Sequence, residues 1–147
     1  NISFADLLVK LDVIPASDLI ELPSSAGGVK VLKGGPVETE RGFVLHSEDY
    51  DSDGATLNVC EGVCLTATRD VLHAMTSDTP PEKFVLALGY SGWGAGQLES
   101  ELADNVWLVG IPDPALVYDP SLDTKWSRAL ARIGVSPDRL QVTGGRA

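Results

Sequence analysis

The sequence predicts an α+β fold, a mixed β-sheet with a hairpin and three to four flanking helices, and three observations carry that expectation. Strand-like and helix-like segments alternate irregularly along the chain, as in a mixed sheet with helices packed on it. LNVCEGVCL at 57–65 reads as a hairpin closed by a two-residue Glu61-Gly62 turn. FVLALGY at 84–90 is a continuous apolar run of strand length, the pattern of a central strand covered on both faces. With 147 residues, 44% of them hydrophobic and 22% charged, the chain is expected to form one domain over 1–147 with a sizeable core.

The elements follow in order. Residues 3–11 form an amphipathic helix, with Ser3 as N-cap, Asp6 three positions on, and Phe4, Leu7, Leu8 and Leu11 on one stripe. Pro15, Pro23 and Gly27-Gly28 make 12–28 a connection, and VKVLK at 29–33 alternates like an edge or half-buried strand. Gly34-Gly35-Pro36 is a turn, and GFVLH at 42–46 is a further strand. SEDYDSDG at 47–54 is an exposed acidic loop leading to the hairpin.

Within that hairpin Cys60 is expected opposite Val63 and Cys64 opposite Val59, so the thiols point to opposite faces and stay reduced. TRDVLHAM at 68–75 is a helix capped by Thr68, with Val71, Leu72 and Met75 inward. After the apolar run, AGQLESELADN reads as a helix and VWLVGI at 106–111 as another buried strand. Asp123–Ile133 is the last helix, with Trp126, Leu130 and Ile133 inward and Gly134 as its stop. RLQVT at 139–143 is a candidate closing strand, and GGRA a frayed end.

Composition limits function before any motif does. Eleven basic against 21 acidic residues give a net charge of -10, which repels phosphate backbones and argues against direct nucleic-acid binding. No apolar run is long enough to span a bilayer, and NISFADLLVKLDV lacks the features of a signal peptide, so the chain reads as soluble and cytoplasmic with no membrane partner.

Gly89, Gly92, Gly94 and Gly96 crowd around Trp93, each costing about 0.5–1 kcal/mol of backbone entropy relative to alanine, so the loop needs a reason. Gly89-Tyr90-Ser91-Gly92-Trp93 sits where a nucleophile elbow would, but Trp93 replaces its second glycine and both histidines precede the serine. Neither GxxxxGK[ST] nor GxGxxG is met, and Gln97 stands at the third glycine position of the latter. Asp49, Asp51, Asp53 and Gly54 match the first half of a calcium loop. Its twelfth position is Cys60, however, and a solvated acidic loop is the preferred reading. His46 and His73 stand alone, without a metal-ligand cluster.

GGPVETERGFVLH at 34–46, GVCLTATRDVL at 62–72 and LGYSGWGAGQLESELADNVWL at 88–108, in that order, strongly resemble the YqgE/AlgH family of bacterial proteins. The resemblance extends over essentially the whole chain and implies a mixed α+β sheet fold. Two departures stand out: family members begin with a further segment of about two strands, which the resemblance implies is missing here, and they often carry alanine at the position of Ser91. The resemblance implies a transcriptional regulator, and it brings no catalytic residue, cofactor or metal with it.

Two functional expectations follow. One is a non-enzymatic regulator acting through a protein partner, with the glycine loop, Trp93 and Gln97 as the contact surface. The other is a small-ligand or nucleotide-binding protein, even an enzyme, whose cleft is formed by Gly34, Gly35, Pro36, Arg41, Arg69 and the loop of Gly92, Trp93, Gly94 and Gly96.

Overall fold

The computed structural model describes residues 3–17 and 28–140. Pro23, Gly27, the end of the RLQVT segment and the GGRA tail lie outside the described residues. The chain divides between Ser91 and Gly92 into two compact units.

In the first unit the opening helix, α1 (Phe4–Lys10), forms where its stripe predicts. The Ser3 hydroxyl accepts from the Asp6 N–H at 3.1 Å and donates to the Asp6 carboxylate at 2.6 Å. One free N–H of the first turn is thereby satisfied, and the acid lies at the positive end of the helix. Five strands follow: β1 (Val31–Lys33), β2 (Val37–His46), β3 (Thr56–Cys60), β4 (Val63–Thr66) and, after helix α2 (Arg69–Met75), β5 (Phe84–Tyr90). They form one mixed sheet of order β1-β5-β2-β4-β3, in which only the β1/β5 pair is parallel. The α+β expectation holds, and the VKVLK segment is an edge strand.

The core lies between the two helices and one face of this sheet. Val44 of β2 and Leu86 of β5 are register partners, both fully buried. Against them pack Phe4, Leu7 and Leu8 of α1 and Val71, Leu72 and Met75 of α2. Burial of each such side chain contributes about 1.5–3 kcal/mol. His46 is two residues from Val44 and so shares its face, where it is also fully buried.

Several expectations need correction. β5 is covered less evenly than a strand buried on both faces, since Leu86 is buried while its neighbours Val85 and Ala87 are half-buried. β2 begins at Val37 rather than Gly42, with a register shift between those two residues and Glu38 at positive φ. Cys60 faces Val63 as expected, but Cys64 pairs with Asn58, because an irregularity between Asn58 and Cys60 leaves Val59 as the extra residue. Both thiols are free, and burial pushes the Cys64 thiol above the ordinary range. Thr68 precedes α2 with extended backbone but makes no side-chain cap; its hydroxyl lies 3.4 Å from that of Ser52.

The second unit holds α3 (Gln97–Ala103), α4 (Pro114–Val117) and α5 (Leu122–Arg132). α4 is absent from the sequence-based expectation, although Asp113-Pro114 is a helix-start signal: the Asp113 carboxylate accepts from the Ala115 N–H at 3.0 Å. Arg128 and Lys125 tie α5 back to this region, through Asp119 at 2.7 Å and the Val117 carbonyl at 2.8 Å. The Arg128 bond, with the Ser121 N–H, holds the Asp119 carboxyl well below the usual carboxylate range. Pro137–Arg139 forms a short 3-10 turn, and most of the candidate closing strand at 139–143 lies outside the described residues.

The largest correction concerns VWLVGI. It forms no strand, and none of the backbone groups of Trp107 to Ile111 enters a backbone hydrogen bond among the described residues. Its composition favours a strand, but strand propensity becomes a strand only where a neighbour accepts the ladder. Trp126 is 60% exposed instead of inward, while Leu130, one turn on, is buried. No helix among the described residues is long and apolar enough to cross a membrane.

Candidate functional site

Of the expected site residues, Gly34, Gly35, Pro36, Arg41 and Arg69 belong to the first unit, and Gly92, Trp93, Gly94 and Gln97 to the second. The two groups have separate physical explanations.

Gly34 and Gly35 follow β1 and lie against the end of β5. The Gly34 N–H donates to the Leu88 carbonyl at 2.8 Å, extending the parallel ladder. A Cβ at Gly34 would stand 2.1 Å from the Gly89 carbonyl oxygen, and one at Gly35 2.2 Å from the Tyr90 carbonyl carbon. On that side both glycines are filled by the main chain of β5, so strand packing accounts for the GGP turn. Arg41 is paired with Glu38 at 3.2 Å and stacks over Phe43, whose ring meets Tyr90 edge-to-face at 5.4 Å. Arg69 is exposed in the first turn of α2, and its side chain makes no hydrogen bond or ion pair among the described residues.

The acidic loop is organised by one of its three aspartates. Asp49 accepts from the Ser47 hydroxyl at 2.5 Å and from the Glu82 N–H at 2.8 Å, and these bonds hold its carboxyl below the ordinary value. Among the described residues no three His, Cys, Asp or Glu side chains converge to hold a metal ion. The carboxylate convergence suggested by the calcium-loop spacing is therefore not formed.

In the second unit the structure brings Trp93, Gly94 and Gln97 together around Glu101, a residue absent from the expected set. One Glu101 oxygen, Oε2, accepts from both indoles, Trp93 Nε1–H at 3.0 Å and Trp107 Nε1–H at 2.6 Å. Its other oxygen, Oε1, accepts from Gln97 Nε2–H at 2.9 Å, and Gln97 Oε1 in turn accepts from the Gly94 N–H at 3.1 Å. The rings of Trp93 and Trp107 meet edge-to-face with centroids 5.7 Å apart, and they remain 37% and 47% exposed. Gln97 and Glu101 are four residues apart on α3, a spacing that puts them on one helix face. That is the signal in the sequence by which Glu101 was detectable; Trp107 was hidden inside the strand expectation.

Beside this cluster runs an open apolar groove of about 530 Å³, lined by Trp107, Leu108, Trp126, Leu130, Ile133 and Leu140 among others. Val106, Leu108, Val109 and Ile111 are exposed in the same unit.

Comparison with known proteins agrees with the fold. A family profile described as AlgH-like matches residues 1–138. The chain is 53% identical over 147 residues to a UPF0301 protein of Methylocella silvestris and 51% identical to one of Nitrobacter hamburgensis. It is matched over its whole length, and it spans 71% and 68% of those two proteins. The solution structure of the AlgH protein from Pseudomonas aeruginosa superimposes with a TM-score of 0.74 at 38% identity, covering 100% of this chain and 74% of that one. The chain belongs to the AlgH-like family of bacterial proteins.

Proposed function

We propose that this protein is a transcriptional regulator of the YqgE/AlgH type that acts in the cytoplasm, indirectly, through a protein partner met by the tryptophan surface of its second unit. The observation that carries this reading is the Trp93/Trp107 pair, held in place by Glu101 while both rings stay accessible. Tryptophans whose rotamers are fixed in advance lose little entropy on binding, which is what makes them effective interface anchors. The -10 charge favours an indirect route over contact with DNA.

The test is complementation of a strain lacking the protein. Wild type is expected to restore the affected transcripts, and Trp93→Ala to fail while keeping its thermal unfolding within a few degrees. Full restoration by Trp93→Ala would overturn the role of this surface. Independently, purified protein titrated into labelled duplex at low and physiological salt is expected not to bind; tight binding with a steep salt slope would make the action direct.

A further inference from the structure

We propose that Glu101 is the positioning residue of this surface, a carboxylate latch that joins the glycine-rich loop, helix α3 and the segment after it into one rigid aromatic platform. The partner-binding reading supplies only its purpose. The latch itself is a property of the free protein.

The argument is one of donors and acceptors. The groups converging on the Glu101 side chain, the indole N–H of Trp93, the indole N–H of Trp107 and the amide Nε2–H of Gln97, are all donors. Gln97 is fixed in this orientation because its oxygen is already used by the Gly94 N–H. Only a side chain with acceptors at both tips satisfies the set, and an ionised carboxylate is that group. Without it, Trp93 and Trp107 sit fourteen positions apart in sequence, on segments with no regular structure of their own.

Loss of the charge opens the latch. A proton on Oε2 turns that oxygen into a donor facing two indole donors, and one on Oε1 faces the Gln97 amide in the same way. The hydrogen bonds from Trp107, Gln97 and Trp93 accordingly hold the Glu101 carboxyl below the usual value. The stabilisation is present above the ordinary carboxylate range and is lost as pH falls through the lowered value. The loop at 92–96 and the segment at 105–112, which supply the indole donors, carry no ionisable side chain, and the flanking charges on the helix itself, Glu99 and Asp104, are acidic.

Glu101→Gln tests this with almost no change of shape. Either orientation of the new amide points an NH2 group at a donor: at Gln97 in one, at both indoles in the other. In a two-dimensional NMR spectrum of the full chain, the Trp93 and Trp107 Nε1–H resonances are expected to move upfield. Trp126, 60% exposed, serves as the internal reference.

The exchanged double variant, Gln97→Glu with Glu101→Gln, is expected to bring them back. The carboxylate moved to position 97 would accept from the Gly94 N–H and from the amide now at position 101, whose oxygen is left for both indoles. Unmoved resonances in the single variant, or no recovery in the double one, would overturn the latch. If the latch holds but complementation by Glu101→Gln equals wild type, the partner reading fails and the latch stands.

Discussion

Gly89→Ala is expected to be strongly destabilising, lowering stability by about 2–5 kcal/mol and shifting the urea midpoint down accordingly. Two effects add. Gly89 has φ 75°, where an L side chain costs about 1–2 kcal/mol. Its Cβ would also stand 2.5 Å from the Gly35 carbonyl oxygen and 2.9 Å from that of Val37, so that two backbones must separate. Neither neighbour is the tip of a flexible side chain, so relief means moving β1 or the start of β2 away from β5, at a typical overpacking cost of about 1–3 kcal/mol.

Two controls separate the contributions. Gly54 has φ 83° with nothing within 4 Å of its Cβ position, so Gly54→Ala isolates the dihedral cost. Gly28 has neither strain nor neighbour, so Gly28→Ala should be close to neutral. The expected order of loss is Gly28, Gly54, Gly89. An equal midpoint for Gly54→Ala and Gly89→Ala would show that the β1/β5 contact yields without cost.

That clasp also shows where a sequence stops being legible. The strands, the Cys hairpin and helices α1 and α2 were readable because each is encoded within a few residues: a stripe at helical spacing, a cap, a two-residue turn. The glycines were readable as costly but not as partners, because Gly34 and Gly89 are far apart in sequence and meet only when β5 inserts between β1 and β2. The bulge that gives Cys64 Asn58 as partner has no marker in LNVCEGVCL.

In the second unit the failures share one cause. VWLVGI and Trp126 look like core because they are apolar, yet apolarity alone does not say whether a neighbour exists to cover them. Glu101 was overlooked for the opposite reason: a lone acid on a surface helix is ordinary until two indoles from outside that helix are found on it.

Thr66→Val is expected to cost about 2 kcal/mol, and the reason is the direction of a hydrogen-bond chain running across the sheet. At one end, the Ser47 carbonyl can only accept, so the 2.8 Å contact makes His46 Nδ1 the donor. His46 Nε2 then accepts from the Thr66 hydroxyl at 2.8 Å, which leaves the Thr66 oxygen to accept from Thr56 at 2.8 Å. At the other end the Ser52 N–H donates to the Thr56 oxygen at 2.9 Å. Two backbone groups thus fix the polarity of three side chains on β2, β4 and β3, beneath the edge-to-face contact of Tyr50 on the imidazole.

Valine fills the space of Thr66 and breaks the chain at its centre. His46 and Thr66 are both fully buried, so Nε2 loses its only donor among the described residues where water cannot replace it, at about 1–3 kcal/mol. Thr56 is only half-buried and can turn to solvent, so it adds less. Thr66→Ser keeps the hydroxyl and gives up a methyl group, about 0.8 kcal/mol, and Thr56→Val removes a donor from an oxygen that still has its own acceptor. Urea unfolding of the three variants should therefore place Thr66→Val lowest. In the Thr56→Val, Thr66→Val double variant the two losses should sum to less than their total, since the second substitution removes a hydroxyl already orphaned by the first. If Thr66→Val unfolds no earlier than Thr66→Ser, the buried imidazole does not depend on this chain, and its burial must be sustained by the Ser47 carbonyl and the Tyr50 ring alone.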